Sequence, residues 1–270
     1  MTSPDWQTDF ARAQASKTVN VVCMKWGSLY GPEWVNRLYG MVTRNTTWTV
    51  RFVCFTDDAT GIRPEVEMRP MPQIRLDEKL GKRWPKVGLF SPQLADLEGM
   101  TLFLDLDLVI LESLDAFFTH PGRFCIIHEW QDADMGYGNS SVMRFFIGRH
   151  PEVLERFYSM PHQHWFETYK SKEQNFVSKT VKDVTFWPAD WCVPFSYACL
   201  PRNKIARFFT TPRKPEGGKI LVFFGSVTPE SAILGQNKSE KRSRRTLFNF
   251  RKPLRRRFGP AAWIADYWKE

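Results

Sequence analysis

The stretch MTLFLDLDLVIL, residues 100–111, decides the fold expected for this chain. Met100–Leu104 is an apolar run of the length of a buried strand, and it leads directly into Asp105 and Asp107. Carboxylates beside so apolar a segment are costly unless a cation or hydrogen bonds compensate them. Strand alternation puts both on one side if the strand persists, and a bend would also let them share one divalent ion. The hard oxygen ligands suit Mn²⁺ or Mg²⁺, whereas the simpler alternative is two acids at a strand-to-loop turn.

Apolar runs on both sides of this stretch predict an α/β protein. The predicted strands, besides residues 100–104, are Val19–Met24, Val50–Phe55, Val66–Met71, Phe124–Ile127, Val142–Ile147 and Lys219–Phe224. The predicted helices begin at Gly31-Pro32, span Val87–Leu97 and Pro151–Met160, and include Trp263, Ile264, Tyr267 and Trp268 near the C-terminus. A loop is expected over Met135–Ser141. Because strands and helices alternate, we expect a mainly parallel central sheet flanked by helices.

The net charge of +9 is concentrated in one segment of this 270-residue chain. Residues 238–257 (KSEKRSRRTLFNFRKPLRRR) hold 10 Lys and Arg against one Glu, and the rest holds 28 basic and 28 acidic residues. This distribution argues against a basic protein built for nucleic acid, and no recognition motif accompanies the segment. Its interleaved Leu and Phe residues favour an anionic membrane surface, with nucleic acid and a solvated tail as the alternatives.

Compartment and domain limits follow from simpler features. Residues 1–17 lack the apolar core of a signal peptide, and no run is long enough to span a membrane. The five cysteines are scattered, which favours buried reduced thiols and a cytoplasmic protein, peripheral on the inner face of a membrane if the basic segment binds lipid. We therefore predict an N-terminal extension over 1–17, one domain over 18–235 and a basic, aromatic segment over 236–270.

The sequence LFLDLDLVI resembles the metal-binding DxD motif of GT-A-fold glycosyltransferases, particularly those related to family 8. Other landmarks follow in the order found in that family: an early strand with a Tyr-containing loop, the GNSSVM stretch at 138–143, and Glu173-Gln174-Asn175 opening a helix. The resemblance covers roughly residues 18–235. It implies a GT-A-like fold and a metal-dependent enzyme that moves a sugar from a nucleotide sugar, expected to be a UDP-sugar, to a glycan or lipid-linked acceptor.

The resemblance also implies a role for each matched residue. Asp105 and Asp107 would hold Mn²⁺ or Mg²⁺ on the donor diphosphate. The residues implied around the base, ribose, phosphates and donor sugar are Lys25, Trp26, Tyr30, Asp57, Asp58, Lys86, Ser140 and Gly225. Those implied at the sugar hydroxyls are Asn139, Glu173 and Gln174, with Gln174 near the anomeric carbon. Family-8 relatives retain anomeric configuration, so no dedicated general base is expected.

Each of these residues also has a structural alternative. Trp26 and Trp84 are large apolar residues that more often pack in a core or at its rim. Lys25 and Lys86 would serve equally as surface charges. Polar residues over 139–140 can shape a turn, and those at 173–174 suit the first turn of any helix. The functional assignment therefore depends on the ordered set rather than on any single residue.

One departure from the family is located in the late strand. The family follows that strand with a His-Gly segment and then Lys-Pro, the His being a metal ligand and the Lys a diphosphate contact. Here Phe224 stands at the expected His and Thr228 at the expected Lys. Phenylalanine cannot ligate a metal, so a degenerate domain that binds without catalysis is one alternative. The histidines at 120, 128 and 150 are candidates to substitute.

A second alternative is a phosphatase of the haloacid-dehalogenase type. Asp105-Leu106-Asp107-Leu108-Val109 fits the DxDxV string of that class, with Asp105 as nucleophile and Asp107 as general acid. That fold normally carries the motif on its first strand, whereas about 80 residues of expected α/β structure come first here. No convincing acidic cluster follows for the metal of that class. The sequence therefore favours the glycosyltransferase.

Overall fold

The structure is a computed structural model that describes residues 5–75, 78–131, 133–170, 172–203, 205–235 and 258–270; for 78–83 and 133 it describes the backbone alone. The chain divides into two compact units. The first unit comprises Met1–Asn36, Thr46–Leu106 and Leu114–Ala189. The second comprises Arg37–Asn45, Asp107–Ser113 and Asp190–Glu270. The basic segment at 238–257 lies outside the described residues.

The first unit is built on a seven-stranded sheet. Its strands are β1 Thr18–Lys25, β2 Thr49–Thr56, β3 Glu67–Arg69, β4 Met100–Leu104, β6 Phe124–His128, β7 Gly138–Phe146 and β8 Val184–Phe186. They run in the order β3-β2-β1-β4-β7-β6-β8. Only β7 is antiparallel to its neighbours β4 and β6, and the other pairs are parallel. This mixed, mainly parallel sheet confirms the fold class predicted from the apolar runs.

The second unit contains a smaller sheet. It holds β5 Leu108–Ile110, β9 Cys192–Pro194 and β10 Ile220–Val222, in the order β5-β10-β9. The apolar run at 100–111 is therefore two strands and not one: β4 ends at Leu104, the chain turns through Asp105–Asp107, and β5 pairs antiparallel with β10. The two carboxylates consequently lie in a turn, not on one face of a continued strand.

The other regular elements of the described residues are helices. The α-helices are α1 Trp6–Ser16, α2 Pro32–Arg44, α3 Asp115–Thr119, α4 Pro151–Ser159, α5 His162–Thr168, α6 Glu173–Thr180, α7 Phe195–Ala198, α8 Pro229–Ile233 and α9 Ile264–Tyr267. Short 3-10 helices span Glu78–Phe90, Ala133–Met135 and Ala206–Phe209. The helices predicted to begin at Gly31-Pro32 and to span Pro151–Met160 are confirmed, because apolar side chains recur at helical spacing there. Helix α1, by contrast, lies in a segment with little apolar periodicity.

Two local predictions are wrong. The helix expected over Val87–Leu97 is absent, since the 3-10 helix ends at Phe90 and turns follow. Pro92 lacks an N–H donor and Ala95 has a left-handed φ of 51°, so the segment cannot continue as a helix. The loop expected over Met135–Ser141 is strand from Gly138 onward, where β7 pairs with β6. A Cβ at Gly138 would meet the Ile126 side chain at 2.7 Å, so this close approach favours glycine there.

The prediction of buried, reduced cysteines is confirmed. All five cysteines are buried, and none is in a disulfide. Burial raises the pKa of the Cys192 thiol well above its usual range, which favours the neutral form. Within the described parts of the chain, every helix is too short or too polar to cross a bilayer.

A fully buried arginine links the elements of the first unit. Arg144, in the middle of β7, donates hydrogen bonds to the backbone carbonyls of Phe117, His120 and Gly122, with distances of 3.3 Å to the first and 2.6 Å to the last. Its guanidinium also lies 5.4 Å from the ring centre of Phe10 in α1. The arginine thereby supplies donors to carbonyls of α3 and of the turn between α3 and β6.

Replacement of Arg144 by Ala should lower the free energy of unfolding by about 3 kcal/mol, because it leaves several buried carbonyls without donors and opens a cavity. Urea unfolding followed by circular dichroism measures this. Arg12→Ala is the matched control, since the Arg12 side chain is 70% exposed and its pair with Asp9 spans 3.6 Å. That variant should lose less than about 0.5 kcal/mol. Equal losses for the two variants would contradict the assigned role of Arg144.

Candidate active site

The carboxyl ends of three parallel strands carry polar side chains. Lys25 ends β1, the Asp57–Asp58 turn follows β2, and Asp105 follows β4. Because β1 is parallel to both β2 and β4, these ends lie at one edge of the sheet. That edge is where open α/β sheets bind ligands.

Asp105 is held in place from both its backbone and its side chain. Its N–H donates to the carbonyl of Ser141 in β7 at 2.9 Å. Its Oδ1 lies 2.6 Å from Lys86 Nζ, and both side chains are largely buried. An ion pair this short with so little exposure gives the compensation that the sequence requires for an acid beside an apolar strand.

Lys86 is the centre of a small polar cluster. Its Nζ lies 3.3 Å from Ser140 Oγ in β7 and 3.9 Å from Glu173 Oε1 at the start of α6. Ser140 Oγ donates to the same Glu173 oxygen at 2.7 Å. We call Lys86, Asp105, Ser140 and Glu173 the Lys86 cluster. It contains two carboxylates and one ammonium, so with its acids ionised its net charge is negative.

The sequence reasoning overlooked Glu129. This buried acid follows β6, and its Oε2 accepts a hydrogen bond from Gln174 Nε2 at 2.6 Å. Its Oε1 accepts from the backbone N–H groups of Trp130 and Gln131. The signal that could have found it is an acid directly after an apolar strand, the same signal that singles out Asp105. Glu129 holds the Gln174 amide in one orientation.

Asn139, which precedes Ser140 of the Lys86 cluster in the sequence, is also buried. Its Oδ1 accepts a hydrogen bond from the N–H of Ser141 at 3.0 Å, within strand β7. That contact is local, so it supports the turn-like alternative for the carbonyl end of the side chain. The predicted contact of Asn139 with a sugar hydroxyl stays a prediction.

The residues at the ends of β1 and β2 form a separate group within the first unit. Lys25 is buried, and its Nζ donates to the carbonyl of Asp58 at 2.9 Å. Asp57 Oδ2 accepts from the N–H of Gly27 at 2.8 Å. The N–H of Thr60 donates to Asp58 Oδ1 and lowers the pKa of that carboxyl. These bonds hold the loop after β1 against the turn after β2.

The three aromatic candidates are placed differently. Trp84 is fully buried and packs against Phe157 and Phe176, with ring centres 5.7 and 5.6 Å away, so it is a core residue. Trp26 is partly exposed at the rim of the same core. The ring of Tyr30 lies 4.6 Å from that of Trp34 at the start of α2. Trp26 and Tyr30 therefore keep ring surface near the end of β1.

The remaining predicted residues belong to the second unit. Asp107 is half-buried in the turn before β5. Phe224 lies 5.6 Å from the ring of Tyr197, and Gly225 is exposed with a φ of 76°. Thr228 caps α8 and accepts a hydrogen bond from the N–H of Ser231. Thr228 therefore has a local structural role in place of the lysine found in the family.

The candidate metal ligands are the carboxylates of the 105–107 turn and the histidines. Across the described ranges, no group of three His, Cys, Asp or Glu side chains is arranged to hold a metal ion. His150 is packed against Phe90 and Phe124, and burial lowers its pKa. His120 and His128 lie against Trp187 and Phe186. The hard carboxylates of the 105–107 turn suit Mg²⁺ or Mn²⁺, ions that commonly take most of their ligands from phosphate and water.

Comparison with solved structures shows the type of fold. The galactosyltransferase LgtC, solved with donor and acceptor sugar analogues, aligns with a TM-score of 0.54 and 13% identity over 78% of this chain and 88% of that chain. The glycosyltransferase GlyE of Streptococcus pneumoniae TIGR4 aligns with a TM-score of 0.56 and 14% identity, over 78% of this chain and 56% of that chain. The bifunctional glycosyltransferase WbbM aligns with a TM-score of 0.51 and 13% identity, over 78% of this chain and 46% of that chain.

These alignments confirm the predicted GT-A-like fold. At such identities the likeness is one of fold. No protein-family model matches the sequence, and no curated protein matches it either.

The Lys86–Asp105 pair should show strong energetic coupling. In a double-mutant cycle with Lys86→Met and Asp105→Asn, we expect a coupling energy of about 1–3 kcal/mol, because each single change leaves a largely buried charge without its partner. Urea unfolding of the four proteins measures it. The Lys219–Glu112 pair, 3.8 Å apart and more exposed, is the control and should show coupling close to zero. Independent effects at 86 and 105 would contradict the geometry.

Proposed function

We propose that this protein is a metal-dependent glycosyltransferase. It would move a sugar from a nucleotide sugar, with a UDP-sugar as the expected donor, to a glycan or lipid-linked acceptor, with retention of anomeric configuration. The observation that carries the proposal is the Lys86 cluster at the ligand-binding edge of a GT-A-like sheet. A surface or packing role does not account for a lysine and two acids held together in a largely buried position.

Electrostatics support a cation in this site. The Lys86 cluster has two carboxylates for one ammonium, so an anionic diphosphate would be repelled unless a further cation accompanied it. Asp105 and Asp107 would hold Mn²⁺ or Mg²⁺ together with phosphate oxygens and water. When bound, the metal would neutralise charge that develops on the departing diphosphate. No third protein ligand is needed, because such ions commonly keep several non-protein ligands.

The chain's own residues would orient the donor. Lys86 would donate hydrogen bonds from Nζ to the donor phosphate or sugar while remaining paired with Asp105. Lys25 and Asp57 would fix the loop on which Trp26 and Tyr30 offer ring surface to the base. Such positioning supplies much of the rate enhancement when a leaving group departs from a preorganised site.

The sugar would be bound by residues of β7 and α6. Glu173 accepts hydrogen bonds and lies in the Lys86 cluster, where a sugar hydroxyl could donate to it. Gln174 would lie near the anomeric carbon, with its amide oriented by Glu129. Asn139 and Ser140 would complete the hydroxyl contacts. In a retaining reaction these groups position and polarise, and no side chain need activate the acceptor as a dedicated base.

The non-catalytic alternative has one observation in its favour. Phe224 and Thr228 stand where related enzymes carry a metal ligand and a diphosphate lysine, and Thr228 is used as a helix cap. In that case the domain would bind a nucleotide sugar or its acceptor without turnover. The phosphatase alternative is disfavoured because the DxD follows the fourth strand of the chain and the solved relatives are glycosyltransferases.

Membrane association through residues 238–257 is part of the proposal. Ten basic residues with interleaved Leu and Phe suit an anionic lipid surface, which would bring the enzyme to a lipid-linked acceptor on the inner face of a membrane. Nucleic acid is not the proposed partner. Truncation at Gly235 is a poor test, because Phe258, Ala261 and Ile264 beyond the segment are buried. Substitution of the arginines by glutamine is the cleaner change.

Donor hydrolysis tests the enzymatic proposal. We expect the protein to hydrolyse one of a panel of nucleotide sugars slowly in the presence of Mn²⁺, and to lose at least about 100-fold of that rate on chelation or on Asp105→Asn or Asp107→Asn. Released nucleoside diphosphate gives the rate. Asp190→Asn, at an exposed turn, is the matched control and should keep the wild-type rate.

The outcomes separate the alternatives. Activity that is independent of metal, or unchanged by the substitutions at 105 and 107, would contradict the proposal. Calorimetric binding of a nucleotide sugar without turnover would favour the non-catalytic domain. Hydrolysis of p-nitrophenyl phosphate in place of a nucleotide sugar would identify a phosphatase.

A further inference from the structure

The second unit exposes unusually large apolar side chains. Phe209 is 88% exposed and Ile205 is 71% exposed, at the end of a 3-10 helix and just before it. Leu234, at the end of α8, is 53% exposed. Single exposed apolar residues are common, but here a Phe and an Ile this exposed lie within one five-residue segment, and exposed apolar surface often marks an interaction site. We call residues 205–209 the apolar ridge.

The backbone beneath the ridge is firmly held. Arg207 Nε donates to the carbonyl of Pro201 at 2.7 Å, and its Nη2 donates to that of Ser196 at 3.3 Å. Thr210 Oγ1 donates to the carbonyl of Ala206 at 2.7 Å. These bonds fix the ends of the segment in the second unit. The apolar side chains are therefore presented outward by an ordered backbone.

Basic residues surround the ridge in sequence. Residues 201–219 contain six Lys and Arg against one Glu. Arg202, Arg213 and Lys214 are exposed, and Lys214 Nζ lies 3.0 Å from the hydroxyl of Tyr267. An apolar patch bordered by cations is the arrangement that proteins use to bind anionic lipid surfaces.

The described residues on either side of 236–257 lie close to one another. The N–H of Gly259 donates to the carbonyl of Thr210 at 2.8 Å, one residue from Phe209. A Cβ on Gly235 would meet the carbonyl oxygen of Phe258 at 2.7 Å. Gly235 and Phe258 are therefore neighbours, and Gly259 contacts the residue that follows the ridge.

We infer that the apolar ridge inserts into the interfacial region of an anionic phospholipid membrane. The ridge is distinct from the membrane contact proposed for residues 238–257, and it needs no catalytic activity. Ile205 and Phe209 would enter the boundary between headgroups and acyl chains, while the adjacent cations remain at the headgroup phosphates. Stable attachment usually needs two such signals, an apolar one and an electrostatic one. Here the exposed cations Arg202, Arg213 and Lys214 would supply the electrostatic signal beside the ridge in sequence.

Vesicle co-sedimentation of the full-length protein tests the ridge. With vesicles of phosphatidylcholine and phosphatidylglycerol, the Ile205→Ser/Phe209→Ser variant should need about tenfold more lipid for half-maximal binding, because two exposed apolar side chains no longer enter the bilayer. Phe209→Trp should bind as the wild type does. Leu29→Ser is the matched control, since Leu29 is 68% exposed but lies in the first unit, and it should bind normally.

Binding to neutral vesicles, binding of an arginine variant and the oligomeric state of the protein give the outcomes that would contradict insertion of the ridge. Vesicles of phosphatidylcholine alone should bind much less protein, and equal binding to them would overturn the anionic partner. If the double variant binds normally while glutamine at Arg255, Arg256 and Arg257 abolishes binding, the ridge is refuted and the basic segment alone binds lipid. If the double variant changes only the oligomeric state in light scattering, a second copy of the chain covers the ridge, which also refutes insertion.

Discussion

One ammonium group, Lys86 Nζ, holds together the parts of the chain that form the candidate site. It pairs with Asp105 at the end of β4, reaches Ser140 in β7 and lies near Glu173 at the start of α6. Each acid would be costly at a largely buried position without this cation. The packing of α6 against the sheet and the turn after β4 are consequently tied to the same charge. A site assembled in this way would be preorganised for the proposed anionic donor, and because the cluster is itself negative it would accept that donor only with a further cation.

The strands could be predicted from the sequence because buried strands consist largely of apolar residues. Val19–Met24, Val50–Phe55 and Met100–Leu104 are mostly apolar, and all three are largely buried strands at their predicted positions. Asp105 was identified from an acid at the end of an apolar strand, and Glu173 from the family resemblance alone. The contact of Lys86 with both could not be predicted. It depends on the path of a proline-containing 3-10 segment, which has no simple sequence period.

The errors have similar physical origins. GNSS at 138–141 has the composition of a loop, but pairing with β6 outweighs that composition and places these residues in a strand. The sequence left open whether the strand continues past Leu104 or bends there, because apolarity says nothing about which sheet each half of the run joins. Glu129 was missed although it carries the same signal as Asp105. The contact of Gly259 with Thr210 joins positions about fifty residues apart, which periodicity cannot reveal.

The basic segment and the apolar ridge would bind a membrane in complementary ways. A basic segment alone binds anionic surfaces through interactions that salt screens over about 10 Å, so its hold weakens as ionic strength rises. An apolar ridge alone supplies too little buried area for stable attachment but is insensitive to salt. Gly259, two residues after the basic segment, contacts Thr210 next to Phe209, so under the proposal one binding event would engage both signals. Attraction would then bring the surface close enough for insertion, and insertion would keep it there when salt weakens the attraction.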